Sequence, residues 1–345
     1  MKKVIIIGGG FCGAYCAKKL EKDFDVTLID NKPYFEFTPS ILRTILEPEH
    51  QKNIQAMHKN YLKRSKVLFD EVIDICGNEV KTKKKKYLFD YLVIAAGSSY
   101  SSPIKASNVI PVNRARELEK YHDQLYKAKR ILVAGGGIVG TELTAEIATH
   151  CGERKITLIH AHDQLMERNH PKARKYAENF LSKKGVEIIF NERVLNNGKN
   201  KKEFITDKKR KIKADVVLFC TGIKPNSQFL KKCMKELINK KGHIEVNEFL
   251  QVNRFENIFA GGDITAIKEE KTAQTAEKHA QLIVKNIRNL ENKKKLKKYK
   301  SKRRTMVISL GKFNGILDNG KIVLGGLIPA FLKKSVEIKT MIRYR

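Results

Sequence analysis

Two glycine clusters in the sequence have the spacing that lets a backbone loop approach a pyrophosphate. They share the pattern GxGxxG and comprise Gly8, Gly9, Gly10 and Gly13, and Gly135, Gly137 and Gly140. The first glycine allows a tight turn, the second leaves room for the phosphates, and the third lets helix and strand pack closely. The amino terminus of the next helix then faces the anion with its positive dipole end. Each cluster therefore predicts a dinucleotide-binding loop.

A polar residue ends the strand that follows each loop, and its type indicates which nucleotide the loop accepts. Asp30 stands twenty residues after Gly10 and can accept hydrogen bonds from ribose hydroxyls, which suits FAD or NAD. The second half has His160 at this point. An imidazole does not repel a 2′-phosphate as a carboxylate does, so NADPH fits the second loop as well as NADH. The alternative is that His160 only ends the strand in solvent.

Asp263 marks a third polar site, between a strand-like run and a helix predicted over residues 272–290. A carboxylate at this point can accept hydrogen bonds from the ribityl chain of a flavin. The helix would direct its amino terminus at the flavin pyrimidine ring, where its dipole stabilises negative charge. A simple capping role for Asp263 is the alternative.

The elements that carry these residues occur twice along the chain. Each half begins with a short Val/Ile-rich strand, a glycine loop and a helix, and closes with an apolar strand before Gly97 or Gly222. The separation is 89 positions from Gly8 to Gly97 and 87 from Gly135 to Gly222. Continuously apolar strands are typical of parallel sheets buried on both faces. The sequence predicts an α/β fold with two doubly wound, Rossmann-like dinucleotide-binding domains.

The repeat also predicts how the chain divides. Residues 1–112 and 244–304 would form an FAD-binding domain in two parts, with an NAD(P)H-binding domain over 113–243 between them. Residues 305–345 would form a small C-terminal segment for membrane or dimer contacts. The remaining charged stretches predict a helix over 113–128, hairpins around 83–86 and 199–211, and a basic linker over 293–304.

The charge of the chain is strongly basic. Its 345 residues include 69 Lys and Arg against 37 Asp and Glu, a formal net charge of +32, and only 16 of the cations are Arg. Proteins that read nucleic acids rely on Arg for bidentate contacts, so a Lys excess spread along the chain disfavours nucleic acid as the main partner. Attraction to an anionic membrane surface fits this composition better.

The six cysteines show neither a CxxC motif nor the spacing of a zinc site. We therefore expect reduced, mostly buried thiols, no metal, and a cytoplasmic protein. The apolar run after Met1 is too short for a signal peptide, and no stretch reaches the length of a membrane span.

The motifs occur in the order GGGxxG, YLVIAxG, GGGxxG, CTG and GGD, and this order resembles the FAD-dependent pyridine nucleotide-disulfide oxidoreductase superfamily over nearly the whole chain. Three stretches resemble its branch of type II NADH dehydrogenases and ferroptosis-suppressor quinone reductases similar to apoptosis-inducing factor: 35–47, Leu158-Ile159-His160 and Lys271–Gln274. The resemblance implies an FAD-dependent NAD(P)H:quinone oxidoreductase, with NADH or NADPH as donor.

The resemblance also assigns site residues. It places Arg43 and Val72 on FAD, together with the first glycine loop and Asp263. It places the second loop and Glu142 at the nicotinamide, and Glu142 and Lys271 become the catalytic candidates. Glu142 could equally serve only the helix dipole.

The acceptor side is less complete. The quinone motif AQxAxQ of type II dehydrogenases is matched only in part, because Lys278 replaces its last Gln. The resemblance still places Thr272, Gln274 and His279 on the quinone side. Two alternatives stay open: a soluble reductase of a rubredoxin or ferredoxin, and a nucleic-acid-binding flavoprotein similar to apoptosis-inducing factor. Disulfide or sulfide chemistry is disfavoured, because residues 31–75 lack cysteine and Cys220 has no evident partner.

The C-terminal tail, residues 322–345, alternates apolar blocks with basic residues. One helical face is predicted to carry mostly apolar residues: Ile328, Phe331, Leu332, Val336 and Ile342. Ser335 lies on the same face. Such a helix can lie in a membrane surface with its cations on the headgroups, or it can cover the protein core or a homodimer interface. The first option places the protein peripherally on the inner face of the cell membrane.

Overall fold

A five-stranded parallel sheet forms the centre of the first half in the computed structural model, which describes residues 1–100, 108–111, 114–197, 202–302 and 305–345. The helices Phe11–Leu20 and Ala273–Glu291 pack against each other on one face. The strand order is Ile258–Ala260, Tyr91–Ile94, Lys3–Ile7, Asp25–Asp30 and Lys66–Phe69.

A second five-stranded parallel sheet repeats this plan, with the helices Ile138–His150 and Pro171–Lys183 beside it. Its strand order is Val109–Pro111, Val216–Phe219, Arg130–Ala134, Lys155–Ile159 and Glu187–Ile189. The fold class predicted from the sequence is therefore confirmed.

The repeat includes a smaller sheet on the other face of each parallel sheet. These are three-stranded and antiparallel, and apolar side chains fill the space between the two layers. Their strands are Val72–Cys76, Glu79–Thr82 and Lys86–Leu88 in the first half, and Val194–Asn197, Glu203–Thr206 and Lys211–Lys213 in the second. Residues 83–86 form the expected turn, whereas residues 199–201 of the second predicted hairpin lie outside the described residues.

Short elements connect the halves. Ser98–Tyr100 pairs antiparallel with Ile223–Pro225. The charged helix predicted over 113–128 is wrong as a single element: it is broken into Ala115–Glu119 and His122–Lys127. The other short elements are the pair Tyr34–Glu36 and Gln55–Met57, and the helical turns Thr38–Ile45, Pro48–His50, Gln51–Ile54, His58–Tyr61, Gln228–Leu230 and Lys235–Leu237.

The C-terminal segment has its own small fold. Three antiparallel strands, Met306–Ser309, Gly315–Asp318 and Val323–Gly326, lead into the helix Leu327–Tyr344, called the C-terminal helix below. Among the described residues, no helix is both long and apolar enough to span a membrane.

The cysteine prediction is wrong for two of the six residues. Cys76 and Cys233 form a disulfide with a Cα–Cα distance of 5.5 Å, although 157 positions separate them in the sequence. The other four, Cys12, Cys16, Cys151 and Cys220, are free and buried as expected. The disulfide joins the small sheet of the first half to the segment that follows the second half. The cysteines therefore no longer support the cytoplasmic location, which stays a prediction.

Candidate functional site

The two glycine loops have the same geometry. Gly8 and Gly135 have positive φ, and an added Cβ would meet the backbone of the neighbouring strand's end at 2.5 Å in both cases. At Gly13 and Gly140 an added Cβ would lie 1.8 and 1.7 Å from the carbonyl oxygen of the first glycine of the loop. These four positions therefore require glycine for the fold itself.

The middle glycines of the two loops differ from the others, because nothing in the described structure occupies the place of their Cβ. Gly10 and Gly137 have ordinary extended backbone, at φ −78° and −66°, and cap the amino termini of Phe11–Leu20 and Ile138–His150. Neither cap uses a side chain. Each helix thus presents free N–H groups to an open space, which fits the pyrophosphate of FAD at the first loop and of NAD(P)H at the second.

A buried hydrogen-bond cluster fixes Asp30 under the first loop. Asp30 accepts from the Gly9 N–H at 2.8 Å and from His58 Nε2 at 3.2 Å, while His58 also binds the Tyr61 hydroxyl. Burial alone would raise the pKa of Asp30, but His58, Lys32 and Gly9 outweigh burial and hold the pKa below its usual range. His58 escaped the sequence analysis because it lies far from the motifs in the chain.

His160 occupies the matching place under the second loop. Its Nδ1 accepts from the Gly136 N–H at 3.0 Å, as Asp30 accepts from Gly9. The ring is buried, and burial lowers the pKa of His160 despite the nearby Glu167. The alternative that His160 merely ends the strand in solvent is therefore wrong.

Asp263 lies where the two halves meet. Its Oδ2 accepts from the Ser98 hydroxyl at 2.8 Å, and Ser98 directly follows Gly97. Gly97 and Gly222 both have positive φ and open space at Cβ. These features leave room for a ligand beside Asp263, in keeping with its predicted contact to FAD.

Lys271 and His279 hold the loop around Asp263. Lys271 Nζ donates to the carbonyl oxygens of Thr265 and Ile267 at 2.8 and 3.0 Å, and burial lowers its pKa. His279 is fully buried, with its Nδ1 accepting from Gly262 N–H and its Nε2 2.8 Å from Glu269. The structure thus gives both residues positioning contacts, and His279 is not exposed to a quinone.

The other predicted quinone-side residues stand at the start of the long helix Ala273–Glu291. Thr272 caps it by accepting from the Thr275 N–H at 3.2 Å. Gln274 is exposed and donates to the Thr305 carbonyl at 3.2 Å. A cavity of about 770 Å³ opens at this helix end, and its lining includes Asn169, His243, Lys271, Thr275 and Asp318.

Glu142, in the helix that follows the second loop, contacts the C-terminal segment. Its Oε1 accepts from the Ser309 N–H and from Lys333 Nζ, both at 2.7 Å, and the pair is largely buried. Lys333 belongs to the C-terminal helix, and the sequence analysis did not connect it with Glu142. The predicted nicotinamide-site carboxylate is therefore tied directly to the tail.

Arg43 and Val72 were the remaining predicted FAD contacts. Arg43 pairs with Glu146 at 3.1 Å across the two halves, while its Nε is buried without a hydrogen-bond partner among the described residues. An unpartnered buried donor fits a missing ligand acceptor. Val72 begins a strand of the small sheet and packs in the core beside the parallel sheet.

The C-terminal helix turns its apolar face to solvent. The exposed fractions are 73% for Ile328, 65% for Phe331 and 72% for Ile342, and Leu332 and Val336 are also exposed. Its opposite face is buried through Glu337, which pairs with His50 at 3.2 Å, and through Tyr344, which stacks on Phe35. The alternative that the apolar face covers the core of this chain is therefore wrong.

Comparisons with known proteins place these features in context. The family described as pyridine nucleotide-disulphide oxidoreductase matches residues 2–280. Apoptosis-inducing factor homolog A of Dictyostelium discoideum is 34% identical, over 97% of this chain and 89% of the relative. Ferroptosis suppressor protein 1 of Homo sapiens is 31% identical, over 98% and 95%.

Solved structures agree with the fold. NDH2 from Plasmodium falciparum in complex with NADH has a TM-score of 0.86 at 18% identity, covering 98% of this chain and 94% of that chain. Sulfide:quinone oxidoreductase from Aquifex aeolicus also has a TM-score of 0.86, at 21% identity, over 100% and 92%.

Proposed function

This chain belongs to the pyridine nucleotide-disulphide oxidoreductase family, and from that premise we propose that it passes electrons from NAD(P)H to a quinone at a membrane surface. The family makes it an FAD-dependent NAD(P)H oxidoreductase. When bound, FAD takes the hydride from the nicotinamide and supplies electrons to the acceptor. The quinone and the membrane site are the parts that we propose.

One observation supports the quinone most strongly: the exposed apolar face of the C-terminal helix. Surface patches of this kind mark contacts with lipid or protein. The helix also carries Lys339, and Lys321 precedes it, so cations adjoin the apolar face. A long-chain quinone resides in the bilayer, so a surface that binds lipid would bring the site to its acceptor.

The ion pair between Lys333 and Glu142 extends this argument from the surface to the site. Lys333 is on the helix that we place on lipid, and Glu142 is two positions beyond Gly140 in Ile138–His150, the helix that follows the second loop. This buried ion pair connects the C-terminal helix directly to the helix that follows the second loop. We therefore place the acceptor between the C-terminal helix and the interdomain site.

The residues of the chain serve binding and orientation in this proposal. The open loops at Gly10 and Gly137 bind the two pyrophosphates, and Asp30 and Asp263 accept hydrogen bonds from sugar hydroxyls. Lys271 and His279 keep the loop around Asp263 in position. The amino terminus of Ala273–Glu291 supplies a positive dipole end close to that loop.

Sulfide or persulfide chemistry receives no support from Cys220. The thiol is buried, and burial raises its pKa to about 12, so it stays protonated at neutral pH. A reactive cysteine needs a stabilised thiolate. Among the described residues the disulfide is formed by Cys76 and Cys233, which leaves Cys220 unpaired.

The test is an anaerobic titration of the purified protein, followed by quinone addition. We expect a bound-flavin spectrum that NADH or NADPH bleaches and that a quinone restores. If the flavin is bleached but only an acidic redox protein restores it, the soluble-reductase alternative is correct, since the +32 charge would steer such a partner. A colourless protein that binds no added FAD contradicts the proposal altogether.

A further inference from the structure

The exchange of Asp30 for His160 between the two halves changes what the second loop can offer a ribose. A carboxylate can hold the loop N–H and still accept from a hydroxyl, because it has several lone pairs. His160 has one acceptor nitrogen, Nδ1, and the Gly136 N–H occupies it. Nε2 then carries the proton of the neutral ring and can only donate. The second half therefore needs another acceptor for the adenosine ribose.

Glu167 is the carboxylate that lies beside His160. Its Oε2 lies 3.4 Å from His160 Nε2, and the His160 nitrogen is otherwise buried without a hydrogen-bond partner among the described residues. The Glu167 side chain is 32% exposed, so it can meet a ligand from solvent. One of its oxygens faces His160, and the carboxylate keeps further lone pairs that can accept from a ribose hydroxyl.

The backbone around Glu167 is fixed to the glycine loop. The Met166 N–H donates to the Gly136 carbonyl at 2.9 Å, and Met166 has a φ of 47°, which turns the chain sharply before Glu167. The Leu165 N–H donates to Glu178 at 3.2 Å. Glu167 is thus held beside the loop by contacts that do not involve its own side chain.

We infer that Glu167, seven positions beyond the strand end, selects NADH over NADPH. Its carboxylate accepts from the adenosine ribose hydroxyls and repels a 2′-phosphate, the role that an acidic strand end has in other dinucleotide domains. The inference rests on the proposed function only in taking the second loop as the nicotinamide nucleotide site. This preference for NADH differs from the expectation drawn from His160 alone, which was that the second loop accepts NADPH as well as NADH.

The surrounding charges agree with this assignment. Burial would raise the pKa of Glu167, but its own backbone N–H, His160 and His162 hold that pKa below its usual range, so the carboxylate is charged. Burial keeps His160 neutral at neutral pH, so it gives no positive charge to a phosphate. Arg168, the nearest Arg in the chain, is directed at Glu270 at 3.6 Å.

The test compares the binding of NAD⁺ and NADP⁺ to the FAD-loaded protein by calorimetry. We expect the wild type to bind NAD⁺ at least about tenfold more tightly. In Glu167→Gln the preference should shrink roughly tenfold, mainly because NADP⁺ binds more tightly once the negative charge is gone. Asp163→Asn is the matched control: it removes the same charge from the same exposed loop and should leave the ratio unchanged.

The anaerobic rate of flavin bleaching by NADH and NADPH gives a second readout, and it should follow the binding ratio. A wild type that binds NADP⁺ as tightly as NAD⁺ overturns the inference, as does an unchanged ratio in Glu167→Gln. Equal shifts in Glu167→Gln and Asp163→Asn would assign the effect to the net charge of the loop instead. Binding of neither nucleotide would overturn the inference together with the proposed donor, whereas quinone turnover does not enter the measurement.

Discussion

At the scale of single residues, Gly10 and Gly137 allow ligand binding to be tested without disturbing the fold. Gly10 and Gly137 have ordinary φ and no neighbour at the place of Cβ, so a side chain there is compatible with the fold. It would project a carboxylate at the phosphates. We expect Gly10→Asp to lower FAD content roughly tenfold or more and Gly137→Asp to leave FAD bound while slowing its reduction by NAD(P)H to a similar degree.

Absorbance of the purified variants and stopped-flow reduction check this prediction. Circular dichroism melts serve as the control, since both variants should unfold near the wild-type temperature. Gly13→Ala is the contrasting variant, because its Cβ would collide with the Gly8 carbonyl and destabilise the protein. Loss of FAD in Gly137→Asp would show that the second loop does not bind a separate nucleotide.

Asp263 gives a second prediction at this scale. Its carboxylate accepts from Ser98 and lies beside the open space at Gly97. If it also binds the ribityl chain, Asp263→Ala should weaken FAD binding by about 2 kcal/mol, the value of a charged hydrogen bond. Ser98→Ala should weaken it less. Flavin release in a dilution series measures both, and equal retention in wild type and Asp263→Ala would assign the carboxylate to loop structure alone.

The sequence was most informative where backbone geometry restricts the residue type. The glycines of both loops, Asp30 and the ends of the parallel strands follow from a repeated local pattern. His58, Lys333 and Glu167 could not be found this way, because their roles depend on contacts made after folding. His160 shows the limit well: its type suggested a phosphate contact, whereas its position shows a loop-holding acceptor.

At the scale of elements, the C-terminal helix depends on a buried carboxylate for its attachment. Burial would raise the pKa of Glu337, but His50, Lys334 and Ser40 lower it to about 2. A depressed pKa contributes stability above the unfolded value, and the contribution is lost as the pH falls from about 4.5 towards 2. We expect Glu337→Gln to destabilise the protein by roughly 2–3 kcal/mol at pH 7, the contribution of a carboxylate whose pKa is depressed to this degree, and we expect the difference from wild type to shrink below pH 4.

Denaturant unfolding at pH 7 and pH 3 measures this difference. Glu153→Gln removes a carboxylate from an exposed loop and should change the free energy of unfolding by less than about 0.5 kcal/mol at either pH. A constant difference for Glu337→Gln at both pH values would mean that the loss comes from packing rather than from the charge.

The tail also shows what periodicity leaves undecided. The sequence correctly grouped Ile328, Phe331, Val336 and Ile342 on one face. A hydrophobic face normally turns inward, so the pattern alone could not separate core from lipid. The opposite face settles the orientation, because Glu337 and Tyr344 find buried partners that lie some 290 and 310 positions earlier in the chain.

At the scale of the whole molecule, the disulfide connects parts that are distant in sequence. Cys76–Cys233 closes a loop of 157 positions, and long loops gain most from such a restraint. We expect Cys233→Ser to lower the free energy of unfolding by about 2–4 kcal/mol. A reducing agent should destabilise the wild type by a similar amount and leave Cys233→Ser unchanged. Non-reducing peptide mapping identifies the bond, and free thiols at both positions would contradict it.

The apolar face of the C-terminal helix links the surface of the whole molecule to the acceptor that we propose. Replacing Ile328, Phe331 and Ile342 by Ser removes the exposed apolar side chains that we propose to contact lipid and leaves the buried face of the helix intact. Binding to anionic vesicles has two parts: the lysines give a part that salt weakens, and the apolar residues give a part that salt does not remove. The triple variant should lose the second part, and its turnover with a long-chain quinone in vesicles should fall roughly tenfold. Turnover with a water-soluble quinone should stay the same, since the ion pair of Lys333 and Glu142 is untouched.

Phe69→Ser with Leu195→Ser is the control, because these exposed apolar residues lie on other elements. If the variant binds vesicles like the wild type but changes from dimer to monomer in solution, the apolar face is a dimer interface and not a lipid surface.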